Sequence, residues 1–354
     1  MNKPIVSIII VNYNGKEYVK KCIDSILKNS FKDLEIIVVD NGSIDESCNF
    51  IRKQYEKESI KVSVISLDKN YGPAKARNEG AKIAKGKYIG FLDNDTTVEK
   101  DWTKIAVNEF EADNKLGIIQ CKLLLSHERD KIDYVGEYLG QNGFLIQRAP
   151  VKTTDKGQFD EKVKILAAKS AGMFIRKDVF NKINGFDEDY FIYVEETDLG
   201  WRSWLAGYEI RFIPKSIVYH EFGTSSIILS KQQNNYNGKF HGCKNYILTI
   251  IKNTEYFSLL KILPIHVILW IGLAYYSLFT GSFKSFIWIH KAIFWNILNL
   301  PKTISKRNVI QAERKISDKK LFDIVMQKAS LDYFVKKVTI SHKVGNAESF
   351  KKSK

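Results

Sequence analysis

Val6-Ser7-Ile8-Ile9-Ile10-Val11-Asn12-Tyr13-Asn14 is the stretch that decides the fold. From Val6 to Val11 the residues are apolar and β-branched except for Ser7, with no alternation of polar and apolar positions. A strand that is apolar on both sides is covered on both sides, the situation of a parallel strand between two helix layers. The run then stops abruptly at amide and phenol side chains, so chemistry is expected at its carboxyl end.

The same pattern repeats outward from this strand. Gly15 to Asn29 places Val19, Cys22, Ile23, Ile26 and Leu27 at helical spacing. Leu34 to Val39 reads as a second buried strand, Val62 to Leu67 as a third and Tyr88 to Leu92 as a fourth. Ser43 and Glu46 have the spacing of a capping box opening the helix between the second and third strands. Pro73 to Lys85 reads as a helix with proline in its first turn. Strand and helix in alternation predict an α/β domain with a mostly parallel central sheet. Further on, Ile118 to Leu125 and Lys164 to Ala168 are strand candidates, and Asp198 to Ala206 a helix ended by Gly207. Tyr208 to Ile213 and Ser216 to Tyr219 read as two short strands divided by Pro214.

Composition narrows the class. The chain has 354 residues, 44% hydrophobic and 27% charged, enough for a sizeable folded core. A net charge of +15 favours anionic partners. The basic residues are dispersed over no recognisable reading element, so nucleic acid is not expected among those partners. Four cysteines without a C-x-x-C pair argue for reduced thiols, not zinc or redox chemistry. The apolar run Val6 to Val11 is too short for a secretory signal, so the first domain is expected in the cytoplasm.

Near residue 256 the composition shifts, and no Asp, Glu, Lys or Arg lies between Lys261 and Lys284. Such a run could cross roughly 30 Å of hydrocarbon. It carries Pro264 and His266, however, and Lys-rich flanks lie on both sides. Trp288, Lys291 and Trp295 follow. This favours helices lying in the cytoplasmic leaflet, or a short re-entrant pair, over one span. A helical hairpin buried on the catalytic domain or in a dimer is the alternative. The expected organisation is a catalytic domain over 1–225, a helical membrane-associated segment over 226–300 and a basic tail over 301–354 attracted to anionic lipid.

In an open α/β sheet, ligands bind beyond the carboxyl ends of the strands. Here those ends are Asn12-Tyr13-Asn14, Asp40-Asn41-Gly42-Ser43, Asn70-Tyr71-Gly72 and Asp93-Asn94-Asp95. Any one of them is ordinary turn chemistry; four along one edge read as a site. No G-x-G-x-x-G follows the first strand, and Gly80 to Lys87 fails as a P-loop in spacing and at Tyr88. Asp93 and Asp95 suit a hard divalent cation. Glu195-Glu196-Thr197-Asp198 lies among Tyr190, Phe191, Tyr193, Trp201 and Trp204, where a carboxylate could act as a base; the alternative is a plain acidic first turn of a helix. His220, after Ile217-Val218-Tyr219, is either a further metal ligand or a structural histidine.

In this order and spacing the segments resemble family 2 glycosyltransferases of the GT-A fold, the rhamnosyltransferase-like branch in particular. They include Asn70 to Gly80, Phe91 to Asp95 and the block from Ala171 to His220 with Gly185-Phe186-Asp187-Glu188, spanning roughly residues 5 to 225. The resemblance implies a nucleotide-sugar donor held by Asn12, Asn14, Asp40, Asn70, Arg77 and Asp93. It implies Mg²⁺ or Mn²⁺ on Asp93 and Asp95, with His220 as third ligand. The family's Glu-Asp motif puts its base at Glu196, a departure that leaves Glu195 or Asp198 as alternatives. The implied reaction inverts the anomeric centre and delivers a hexosyl or deoxyhexosyl group to a glycan or lipid-linked acceptor. The setting would be polysaccharide or cell-wall biosynthesis at the cytoplasmic face of the membrane. A sugar-phosphate nucleotidyltransferase would need a Gly-rich basic loop where Asn12-Tyr13-Asn14-Gly15-Lys16 stands. A non-catalytic, membrane-tethered binding protein would have no use for Asp93, Asp95, Glu196 and His220 together. The oligomeric state is left open, with a homodimer among the outcomes.

Overall fold

The computed structural model describes residues 3–221 and 238–328. The chain opens with β1 (Val6–Asn12), α1 (Lys16–Leu27), β2 (Leu34–Asp40), α2 (Ser47–Gln54), β3 (Val62–Ser66), α3 (Pro73–Ile83) and β4 (Tyr88–Asp93). It continues through β5 (Thr96–Val98), α4 (Trp102–Ala112), β6 (Leu116–Leu125), β7 (Ile132–Tyr134), β8 (Glu137–Gly140), β9 (Leu145–Gln147) and β10 (Val163–Lys164). Then come β11 (Met173–Arg176), α5 (Lys177–Lys182), α6 (Glu195–Leu205) and β12 (Glu209–His220). The last described elements are α7 (Gly238–Asn253), α8 (Tyr256–Phe279), α9 (Phe283–Leu298), α10 (Leu300–Ala312), α11 (Asp318–Val325) and β13 (Met326–Gln327).

The main sheet runs β10-β12-β6-β11-β4-β1-β2-β3. β4, β1, β2 and β3 are parallel neighbours, as are β12 and β6; β11 enters antiparallel between β6 and β4. The unbroken apolar runs have the predicted cause. Ile9, Ile37 and Val39 feed one core with Ala74 and Ala76 of α3 and Trp201 and Trp204 of α6. Their neighbours Ile8, Ile10, Ile36 and Val38 feed the opposite core with Ile23 of α1 and Trp102 and Phe110 of α4. Alternate side chains of one strand point to opposite faces, so both phases must be apolar.

Several elements differ from expectation. No capping box forms: α2 starts at Ser47 with Glu46 left-handed (φ 61), because Ser43 is spent on Asp40, 2.6 Å from its carboxylate. Pro214 does not divide two strands. β12 runs through it with a register shift between Ile213 and Ile217, the kind of irregularity where a residue without N–H is tolerated. Of Lys164 to Ala168, only Lys164 with Val163 pairs as a strand.

The segment after residue 238 packs on the α/β domain. Cys243, Ile247, Trp270, Ala274, Ile289 and Ala292 close a core between α7, α8 and α9. α10 and α11 occupy the start of the expected tail. Leu321 and Val325 of α11 join the core under the main sheet, and β13 pairs in parallel with β8. α8 has two stripes: Ile262, His266, Trp270, Ala274 and Ser277 are buried, whereas Ile265, Ile268, Ile271, Tyr275 and Phe279 are exposed. Residues 329–354 of the tail and the expected boundary at 225/226 lie outside the described residues.

Candidate active site

Strand register brings the polar ends together. Asn12 pairs with Asp40 across β1 and β2, and Val11 with Asp93 across β1 and β4. The Asn12 amide donates to Asp40 at 2.8 Å and accepts from Asn94 at 2.8 Å. Asp40 also accepts from the Ser43 amide and hydroxyl, and the backbone N–H of Asn14 donates to that hydroxyl at 2.8 Å. The Asn14 side chain in turn accepts from Ile44 N–H. Asn70 accepts from Asn41 and from Gly72 N–H, both at 2.9 Å. Asn12, Asn14, Asp40 and Asn70 thus build one hydrogen-bonded shelf. Asp40 is buried beneath it and braces the loop. Two glycines let the shelf close. A Cβ on Gly15 would lie 2.1 Å from the Asn94 amide. Gly72 has φ +84, and a Cβ there would meet the Phe191 carbonyl at 2.3 Å.

Asp93, Asp95 and His220 converge, their ligand atoms all within 4.8 Å of one another. β5 pairs with β12, placing Thr96 opposite His220, which is how a residue remote in sequence arrives there. Both Asp95 carboxylate oxygens are buried without a hydrogen-bond partner, an arrangement that suits a cation. The donor set of two carboxylates and an imidazole fits Mg²⁺ or Mn²⁺. Burial opposes charge on His220, yet Asp133 and Asp95 push its imidazole up to about 10.

Arg77 links this cluster to the acidic helix. Its guanidinium donates to Asp93 at 3.0 Å and to Glu195 at 3.1 Å, and lies 3.9 Å from Glu196. The group is buried and sits over the Phe186 ring. Its charge is shared among three carboxylates.

The three candidate bases separate clearly. Glu196 is the open one: its side chain keeps 20% exposure, and one oxygen accepts from the Ser170 hydroxyl at 2.6 Å. Glu195 is 4% exposed and held by Arg77; burial and then the neighbouring Glu196 charge push it up to about 8, against the pull of Arg77. Asp198 is fully buried, 2.8 Å from Arg202, 2.9 Å from Lys252 and 2.9 Å from the Asn253 amide. Burial would raise its pKa, but Arg202 and Lys252 hold it below the usual carboxylate range. Asp198 is therefore a structural anchor and drops out as a base.

The turn before α6 is strained. Tyr193 and Val194 are both left-handed, at φ 71 and 68, a conformation costly for a β-branched residue. The Asn245 amide of α7 holds it, donating to the Ile192 carbonyl at 2.8 Å and the Tyr193 carbonyl at 2.7 Å. On the α3 side, Asn78 exchanges two hydrogen bonds with the backbone of Phe186. Sequence reading placed Asn94 in the strand-end cluster without giving it a role, and missed Asp133, Ser170 and Asn245, whose partners are remote in the chain so that local pattern carries no signal for them.

The family model described as glycosyl transferase family 2 matches residues 7–183. The chain is 37% identical over 142 residues to the uncharacterized glycosyltransferase EpsJ of Bacillus subtilis, covering 40% of each. It is 34% identical over 116 residues to the chondroitin synthase of Escherichia coli, covering 33% of this chain and 17% of that one. The chain thus spans about 40% or less of the length of these curated relatives. Among solved structures, S. aureus TarS 1–349 with UDP-GlcNAc superposes with a TM-score of 0.57 at 17% identity, covering 87% of both chains. The Pyrobaculum calidifontis mannosyltransferase with GDP-Man and Mn²⁺ gives 0.51 at 13% identity, covering 88% of this chain and 86% of that one.

Proposed function

The chain belongs to glycosyl transferase family 2, and we propose that it transfers a sugar from a nucleotide-sugar donor to a hydroxyl of a glycan or lipid-linked acceptor, with inversion. Its fold is the GT-A fold, with a mixed, mostly parallel sheet and a helical C-terminal region. The observation that carries the proposal is the convergence of Asp93, Asp95 and His220, joined through Arg77 to the open carboxylate of Glu196.

The donor's nucleotide lies on the shelf built by Asn12, Asn14, Asp40 and Asn70, with Asp40 and Arg77 acting from beneath by fixing the groups above them. Asp93, Asp95 and His220 would hold Mg²⁺ or Mn²⁺, whose charge would offset that developing on a leaving diphosphate. Glu196 accepts the proton of the acceptor hydroxyl. That oxygen forms a bond to the anomeric carbon from the side opposite the diphosphate, whose own bond to that carbon breaks and takes the electron pair. Ser170 donates to Glu196 at 2.6 Å and fixes its rotamer. Arg77 keeps Asp93 and Glu195 from repelling Glu196 out of the site.

The membrane-facing part of the proposal rests on α8. An 18-residue window of this 24-residue helix has a mean hydropathy of 1.9, and its exposed stripe from Ile265 to Phe279 carries no charge. Its other stripe is packed, so a helix lying in the cytoplasmic leaflet suits it better than a span. A lipid-borne acceptor would then approach from that side, as polysaccharide or cell-wall assembly requires. The choice of a deoxyhexosyl donor, as in the rhamnosyltransferase-like branch, belongs to the same proposal.

The test is a panel of nucleotide sugars with the full chain, reading release of nucleoside diphosphate with and without EDTA. Turnover that needs Mg²⁺ or Mn²⁺ and is lost in Asp95→Ala is expected. Full turnover in excess EDTA, or no turnover with any donor and acceptor, overturns the reading.

A further inference from the structure

We propose that Asp133 is the positioning residue of the cation site, holding the His220 imidazole with Nδ1 turned away and Nε2 presented to Asp93 and Asp95; this rests on the cation reading above. Nδ1 lies 2.9 Å from Asp133 Oδ2, and Nε2 lies 3.4 Å from Asp95 Oδ1. Nδ1 is thus hydrogen-bonded to Asp133, and Nε2 faces Asp95 on the opposite side without a hydrogen bond to it. A metal-binding histidine must leave its coordinating nitrogen bare. A hydrogen bond from the other N–H to a carboxylate sets that tautomer.

The way Asp133 reaches His220 is itself unusual. β7 pairs antiparallel with β6, but Leu123 lies opposite Tyr134 while Leu124 lies opposite Ile132. One step on β6 spans two on β7, and Asp133 is the extra residue. Such a bulge bends the strand and re-aims its side chain, and bulges gather beside active sites. In a regular ladder Asp133 would stand within the pairing between Ile132 and Tyr134. Here it turns towards the end of β12, where His220 closes the strand.

Its electrostatics fit the same role. The Asp133 side chain has 0% exposure. Among the described residues it forms an ion pair with His220 and with no Lys or Arg, and its Oδ1 has no hydrogen-bond partner. A carboxylate kept only to fasten two strands is ordinarily satisfied on both oxygens. With Asp93 and Asp95, Asp133 adds a third carboxylate around one imidazole; Arg77 pairs with Asp93, and Lys169 acts on Asp133 from beyond ion-pair distance. A plain ion pair between β7 and β12 would predict a loss of stability when Asp133 changes, with no specific effect on metal.

The experiment measures Mn²⁺ binding to the full chain by electron paramagnetic resonance, with UDP or GDP present. It compares wild type, Asp95→Ala, His220→Ala, Asp133→Asn and the double variant, each checked for folding by circular dichroism. Asp133→Asn is expected to weaken Mn²⁺ about 10–100-fold, and the double variant to bind no more weakly than His220→Ala alone. Asp133→Asn binding within about threefold of wild type, or adding its full loss to that of His220→Ala, overturns the proposal. Failure of the wild type to bind Mn²⁺, or an Asp95→Ala that binds like wild type, is a different result: it overturns the cation reading, and the proposal with it. If Asp133→Asn does not fold, the tautomer decides. Proton–nitrogen spectra of ¹⁵N-histidine-labelled wild type with Mg²⁺ should show His220 protonated at Nδ1 only; protonation at Nε2 overturns the proposal.

Discussion

Lys252→Ala is predicted to destabilise the catalytic domain, although Lys252 lies in the helical segment that sequence alone assigned to a membrane. Its side chain is 1% exposed and its ammonium sits 2.5 Å from Asp187 and 2.9 Å from Asp198. It also lies over the Tyr190 ring, 4.8 Å from the centroid. Removing one partner of a buried ion pair costs about 3–5 kcal/mol, because the remaining charge is stranded. Two facts favour the lower end. Arg202 and Asn253 still hold Asp198, and Lys306 still pairs with Asp187. The loss of the cation over an aromatic face adds about 1–2 kcal/mol. At roughly 2–4 °C per kcal/mol, a total of about 4–5 kcal/mol should lower the melting temperature by about 8–20 °C. The sign of the pH dependence follows from Asp198, whose folded pKa is lowered by Arg202 and Lys252 against burial. Asp187 is lowered likewise by Lys252 and Lys306. A lowered carboxylate contributes stability that is present above its unfolded pKa of about 3.9 and lost as pH falls through the folded value. The gap between wild type and variant should therefore be widest near neutrality and narrow as pH falls towards 4 and below. Thermal unfolding by circular dichroism at neutral and acidic pH checks both parts. A melting temperature within about 2 °C of wild type at neutral pH refutes the claim that α7 is built into the catalytic domain.

Glu196→Gln should lose about 10²–10⁴ in kcat with donor binding near normal; binding is read by calorimetry, and a near-wild-type kcat moves the base elsewhere. Asn245→Ala strands the Ile192 and Tyr193 carbonyls before α6. A displacement of Glu196 by about 1 Å should cost on the order of 10²-fold in kcat, with Mn²⁺ affinity unchanged. Ile268→Asp with Tyr275→Asp places charge on the exposed stripe of α8; co-sedimentation with anionic vesicles should fall at least about tenfold while donor hydrolysis by the detergent-free protein persists. Wild type that never sediments with vesicles refutes the membrane-facing reading.

The strand pattern and the four strand-end clusters were legible from residues alone, because burial on both faces forces an unbroken apolar run and polar residues must stop it. Val6 to Val11, Leu34 to Val39 and Tyr88 to Leu92 all became parallel neighbours for that reason. The order and spacing of the segments from Val6 to His220 carried the family resemblance. What local pattern could not supply is the partner across space. Glu195, Glu196 and Asp198 fall within one helical turn, and each residue turns the side chain by about 100°. They therefore meet Arg77, Ser170 and Lys252 respectively, residues remote in the chain. Those partners, not the acidic residues themselves, decide which carboxylate stays open. Asp133 carries no signal in the sequence; a bulge in β7 turns it to His220. The uncharged run of α8 leaves open helices lying in the leaflet, a span and a buried hairpin, the first favoured. Only the packing of His266, Trp270 and Ala274 against α7 and α9 separates the buried stripe from the exposed one. Hydrophobic burial is written along the chain at a fixed period, whereas the pairing of charges is settled only when distant segments meet.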